Sequence, residues 1–148
     1  MTEETSEVAP IELPLRGASI APVYYVDSND ELLGAIESLK EGNGPLAIDA
    51  ERASGFKYSS RAYLIQVHRA NTDVFLIDPI PLTETATLKQ FAEFCNSIPW
   101  ILHAATQDLA CLREVDLIPI QLIDTELGSR LLGLPRVGLG AACEQLLG

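Results

Sequence analysis

From Val23 onward, short β-rich runs alternate with segments whose apolar residues recur every three or four positions. That alternation predicts a sheet protein with helices between its strands. The first run, VYYV at 23–26, is followed by SNDE at 28–31, where a serine precedes a glutamate by three residues in the manner of a capping box. The helix it opens carries Leu32, Leu33, Ile36 and Leu39 as its expected buried stripe and ends at Gly42 and Gly44. Three strand runs come next: PLAIDAE (45–51), AYLIQVH (62–68) and DVFLID (73–78). The RANT connection is short enough to force the second and third into an antiparallel hairpin. Helical spacing of Leu88, Phe91, Ala92 and Cys95 predicts a second helix over 84–96. WILHA (100–104) reads as a strand, with Thr106 capping a helix that carries Leu109, Leu112 and Val115. A short QLID strand, a helix over 125–132 and a helical turn or two from Leu139 close the pattern.

Length narrows this to one domain, because 148 residues suffice to bury roughly two thirds of the unfolded surface but not to build a second core. No apolar run approaches the 18 or so residues that cross a bilayer, so no membrane partner is expected. The start, MTEETSEVAP, has acids where a secretory signal has basic residues, and it lacks the arginines of a mitochondrial presequence. Residues 1–20, with Glu3, Glu4, Glu7 and Glu12 among prolines and no apolar period, are expected to form a disordered acidic leader, leaving 21–148 as the domain. Cys95, Cys111 and Cys143 are odd in number and set in apolar helical patterns, which suits reduced core thiols and a cytoplasmic location.

The formal net charge of −11 excludes a simple electrostatic binder of nucleic acid, since neutralising phosphates takes Lys and Arg. The charge is segregated, however. Arg52, Lys57, Arg61 and Arg69 fall in one stretch, with Phe56, Tyr58 and Tyr63 interleaved. Such a mixture can grip phosphates and stack bases of a single strand, but it better suits a solvated hairpin whose aromatics fill the core.

The chemistry concentrates in PLAIDAER, 45–52. Side chains two apart on a strand share a face, so Asp49 and Glu51 point one way while Leu46, Ile48 and Ala50 point the other. Two carboxylates so placed repel, and either one takes up a proton or a cation sits between them. Mg²⁺ or Mn²⁺ meets that need; an edge strand with a solvated face is the plainer alternative. The same spacing recurs at Asp124 and Glu126, but there Leu127, Leu131 and Leu132 continue with helical period, so the pair reads as an N-cap and a first-turn acid. Asp108 follows the WILHA strand. It suits the helix dipole there, and it also becomes a third carboxylate if that strand lies beside the Asp49 strand. His103 at the strand end either holds a phosphate or hydroxyl or is a satisfied buried histidine. Gln66 is a weaker candidate for substrate contact. A doubly wound phosphotransfer domain would show a Gly-rich loop after its first strand, and none is present.

LAIDAE, AYLIQVHR, FLIDP, ILHAATQDLACL, LIDTELGSRLLG and VGLGAACEQLLG, in that order and spacing, resemble the catalytic domain of the ribonuclease D family, in particular its actinobacterial-type members. The resemblance implies an RNase H-like DEDD exonuclease fold, an α/β domain with a mixed central sheet flanked by helices. It implies that Asp49 and Glu51 form the first motif and Asp108 the second, with His103 at the strand end, and that these three acids are catalytic and bind two divalent ions, Mg²⁺ or Mn²⁺; His103, Gln66, Lys57 and Arg61 are the candidates for substrate contact. The implied reaction is 3′ to 5′ removal of nucleoside 5′-monophosphates from single-stranded RNA 3′ ends, tRNA precursors among them. A non-catalytic RNA-binding or assembly module on the same fold is the alternative. The family's third motif, a tyrosine and a fourth aspartate, lies beyond the region matched by AACEQLLG, and the apolar pattern is still running at Gly148. The chain is therefore expected to be the front part of a longer nuclease, and inactive or nearly so by itself.

Overall fold

The computed structural model describes residues 21–52 and 61–148. The expected leader and Phe56, Lys57 and Tyr58 lie outside the described residues. In chain order the elements are β1 (Val23–Val26), α1 (Asn29–Lys40), β2 (Asn43–Arg52), β3 (Ala62–Ala70), β4 (Val74–Ile77), α2 (Ala86–Asn96), β5 (Trp100–Leu102), a 3₁₀ turn (Ala105–Gln107), α3 (Leu109–Arg113), β6 (Leu122–Asp124), α4 (Thr125–Leu131) and α5 (Leu139–Leu147).

The strands form one six-stranded sheet in the order β1-β4-β3-β2-β5-β6. Its centre, β2-β3-β4, is antiparallel because the connections there are hairpins. The flanking pairs β1–β4, β2–β5 and β5–β6 are parallel. The β3–β4 turn places Asn71 in the left-handed region (φ 68°), and the Thr72 hydroxyl donates to Arg69 O at 2.8 Å. Gly42 packs beneath this turn, where an added Cβ would lie 2.6 Å from Thr72 Cγ2, so only glycine fits.

The capping box of α1 is present as expected: Glu31 N–H donates to Ser28 Oγ, and Ser28 N–H donates to Glu31 Oε2. Its buried face is Leu32, Ala35, Ile36 and Leu39, with Leu33 outward at 39% exposure. The helix buries Ala35 and leaves the bulkier Leu33 in solvent, which corrects the expected stripe. Leu88, Phe91, Ala92 and Cys95 of α2 are buried as their spacing requires. These helices and α3 join Leu46, Ile48, Ala50, Ile65, Val67, Phe75, Ile77, Trp100 and Leu102 in one core. Opposite that core, the other side of the sheet is partly open around β2 and β3, where Ala47, Asp49 and Glu51 are exposed.

Two further expectations are revised. Thr106 caps no helix: it lies inside the 3₁₀ turn, and α3 begins only after Asp108. The last segment is a nine-residue helix rather than a turn or two.

Candidate active site

Strand alternation sorts the β2 side chains as expected. Leu46, Ile48 and Ala50 are buried, while Asp49 and Glu51 stand on the open face. Asp49 pairs in register with Gln66 on β3, and the Gln66 amide donates to Asp49 Oδ2 at 3.1 Å. The structure thus places Gln66 against a carboxylate, where it fixes a rotamer of Asp49.

Asp108 reaches the same region from a different element. Because β5 runs parallel to β2, with Leu46 beside Trp100 and Ala47 beside Ile101, the chain leaving β5 emerges next to the acidic end of β2. Asp108 follows the 3₁₀ turn and is only 7% exposed. Its carboxyl is pushed above the usual carboxylate range by desolvation, then by the negative charge of Asp49; Arg52 opposes this and Glu51 adds to it. Asp108 therefore feels the charge of both β2 acids from a separate element.

His103, at the mouth of β5, is half-buried, with Nδ1 2.9 Å from Thr125 Oγ1. The Thr125 hydroxyl donates its one proton to Leu102 O at 3.2 Å. That hydroxyl has only its lone pairs left for His103, so Nδ1 carries the hydrogen and Nε2 is left available. Asp49, Gln66, His68, His103, Thr125 and Leu139 line a groove of about 440 Å³ along the open face. Arg61 donates to Thr83 Oγ1 at the start of β3. Lys57 lies outside the described residues.

Asp124 does what its spacing suggested and more. It caps α4 through Glu126 N–H (2.9 Å) and Leu127 N–H (3.2 Å). It also accepts from Ala104 N–H (3.2 Å) and Ala105 N–H (3.0 Å), twenty residues earlier. Desolvation pushes this carboxyl upward, but the backbone donors of Leu127, Ala105, Glu126 and Ala104 outweigh it and hold the group below the usual range. An N-cap motif signals the first pair of bonds; the second pair depends on β5 and β6 being neighbours, which no local pattern encodes.

Among the described residues, no three His, Cys, Asp or Glu side chains converge closely enough as they stand to hold a metal ion. The donor set nevertheless has the chemistry of a hard-cation site: all-oxygen, anionic, and including a buried acid crowded by two others.

A family model described as 3′-5′ exonuclease matches residues 23–148, the whole of the described domain beyond its first two residues. The chain belongs to the 3′-5′ exonuclease family. Within that family its relatives are of the ribonuclease D and RRP6 type. Ribonuclease D of Haemophilus influenzae is 30% identical over 129 residues, covering 85% of this chain and 32% of that protein. The exosome complex exonuclease RRP6 of Saccharomyces cerevisiae is 28% identical over 134 residues, 90% of this chain and 18% of its own. The chain thus spans a third or less of the length of these exonucleases. Among solved structures, Escherichia coli RNase D, an exoribonuclease involved in structured RNA processing, superposes with a TM-score of 0.69 at 27% identity, covering 83% of this chain and 32% of that one. Trypanosoma brucei RNase D in complex with RNA U12 shares the fold, with a TM-score of 0.72 at 20% identity over 87% of this chain and 48% of that one. The mixed sheet with flanking helices is accordingly the RNase H-like fold of these exonucleases.

Proposed function

We propose that this domain is the catalytic part of a metal-dependent 3′ to 5′ exoribonuclease that releases nucleoside 5′-monophosphates from single-stranded 3′ ends of structured RNA, tRNA precursors included. The observation that carries the reading is the parallel pairing of β5 with β2, which brings buried Asp108 from a separate element within range of the charges of Asp49 and Glu51. A purely binding module gains nothing from holding Asp108 against two like charges. RNA as the substrate is supported by the RNase D relatives, one of which is solved with an RNA bound.

Asp49, Glu51 and Asp108 would hold the divalent ions, Mg²⁺ or Mn²⁺; such ions supply a nucleophilic water at neutral pH and charge stabilisation for the leaving 3′ oxygen. The chain's own residues do the rest. Gln66 orients Asp49, and His103, fixed by Thr125, presents Nε2 to the groove, where it can meet a phosphate or ribose hydroxyl. Lys57 and Arg61 are proposed to contact the phosphate backbone. The three free thiols suit a reducing, cytoplasmic setting.

Calorimetric titration of the chain with Mn²⁺ or Mg²⁺ tests the site. Binding is expected in the wild type and lost in Asp49→Asn; equal binding by both removes the reading. The sequence contains no tyrosine after Tyr63 and no aspartate after Asp124. The tyrosine and fourth aspartate of the family's third motif are therefore not supplied by residues 125–148, and we expect the 148-residue chain alone to be inactive or nearly so. Digestion of a 3′-hydroxyl RNA by the purified chain at the rate of a longer form carrying that motif would overturn this.

A further inference from the structure

We propose that Asp124 is a positioning residue for Asp108, acting through a left-handed turn at Ala104; the proposal rests on the metal-site reading above. Ala104 has φ 57° and ψ 48°, a conformation in which the Cβ of an L-residue crowds its own carbonyl, and it is buried. No glycine relieves the turn, so something must hold it. What holds it is the Asp124 carboxylate, with Oδ1 accepting from Ala104 N–H and Oδ2 from Ala105 N–H.

From that turn the backbone has little freedom before Asp108. Gln107 N–H donates to Ala104 O at 2.9 Å and Asp108 N–H to Ala105 O at 3.1 Å, so the orientation of those two peptides sets where the Asp108 backbone sits. Asp108 O in turn accepts from Leu112 N–H and from the buried Cys111 thiol. The path from Asp124 to the buried acid is thus a continuous run of hydrogen-bonded backbone. Thr125 braces it from the neighbouring position through Leu102 O and His103.

Only a carboxylate serves all four donors, because Oδ1 takes Ala104, Glu126 and Leu127 while Oδ2 takes Ala105. A serine hydroxyl at 124 has one oxygen, enough to cap α4 but too little to hold the Ala104–Ala105 peptides as well. Asp124→Ser therefore separates capping from positioning.

The test measures Mn²⁺ affinity of the chain by electron paramagnetic resonance, with far-UV circular dichroism as the check on folding. Asp108→Asn reports the metal-site reading itself and is expected to weaken binding. Asp124→Ser is expected to keep its helix content and bind Mn²⁺ about 10- to 100-fold more weakly, the loss typical of groups that orient a metal ligand. Adding Ala104→Gly, which adopts the left-handed turn without a Cβ penalty, is expected to recover most of that loss. Should Asp124→Ser fold poorly, Asp124→Asn, which keeps one oxygen and the shape, is expected to show a smaller loss of the same kind. Wild-type affinity in both Asp124 variants alongside a loss in Asp108→Asn overturns the positioning role while leaving the metal site standing. Failure of Ala104→Gly to recover Asp124→Ser overturns the route through the turn. Unchanged binding in Asp108→Asn, or none in the wild type, overturns the metal-site reading and the proposal with it.

Discussion

Asp108→Asn stabilises the metal-free domain at neutral pH and, in a longer form that carries the third motif, lowers exonuclease activity by at least about 10²-fold. The two effects share one cause. Asp108 is buried and faces Asp49 and Glu51, so its folded-state carboxyl titrates above the ordinary aspartate value. A raised carboxyl pKa means that the folded state holds the proton more tightly than the unfolded chain does. Between the ordinary aspartate value and the raised one, ionisation costs the fold stability as pH rises, and above that window the full cost stays in place. Each pH unit by which the titration is displaced is worth about 1.4 kcal/mol. Asparagine has nearly the same shape and no charge. Urea unfolding of wild type and variant should therefore show the variant ahead at pH 7, with the gap closing below about pH 3.8, the ordinary aspartate value, where Asp108 is protonated in both states. Adding Mg²⁺ should narrow or reverse the difference, because the cation stabilises only the protein that can hold it. Loss of a direct metal ligand is expected to exceed the 10- to 100-fold cost of its outer partners, which sets the lower bound on the activity effect. A variant less stable than wild type at pH 7 would show that Asp108 is a structural hydrogen-bonding group and not a charge held at a cost.

The parts of this site that were legible in the sequence are those governed by short-range rules. The alternation along 45–52 put Asp49 and Glu51 on one face because a strand leaves no other choice, and Ser28 with Glu31 announced their helix because both capping bonds close within three residues. The failures lie where distant contacts decide. Thr106 looked like an N-cap, yet the chain enters a 3₁₀ turn there because Asp124 draws in the peptides of Ala104 and Ala105 from twenty residues downstream. Gln66 stays in the groove as a candidate for substrate contact, and the register of β2 on β3 adds its bond to Asp49, which no local pattern shows. Leu33 is expected in the core of α1 because leucine is apolar, but the buried face of the helix takes in the smaller Ala35 and leaves Leu33 39% exposed. In each case the residue was noticed and its partner was not. Register and crossover order are what a single sequence leaves out.

Trp100→Ala is expected to be the most damaging substitution in the scaffold, costing about 3–5 kcal/mol. Trp100 is fully buried, sits on β5 between β2 and β6, and is the largest side chain wholly enclosed in the core. Truncation leaves a cavity beneath Leu46, which it adjoins in register. Its indole N–H donates to Cys95 O at 2.8 Å, a carbonyl in the last turn of α2 that also accepts from Ile98 N–H at 3.1 Å. Against a typical stability of about 5–15 kcal/mol for a domain, the loss leaves much of the protein unfolded on mild warming. Trp100→Phe separates the two contributions. It keeps an aromatic ring in the cavity but loses the indole hydrogen bond, worth about 0.5–1.5 kcal/mol, while the Cys95 carbonyl keeps Ile98 N–H, so its urea midpoint should fall between those of Trp100→Ala and wild type. The consequence reaches the site, because the pairing of β5 on β2 is what delivers Asp108 to Asp49. Trp100→Phe should therefore weaken Mn²⁺ binding modestly while remaining folded. Full retention of affinity in that variant would mean that the hydrogen bonds of the Ala104 turn hold Asp108 in place even when the strand behind it is loosened.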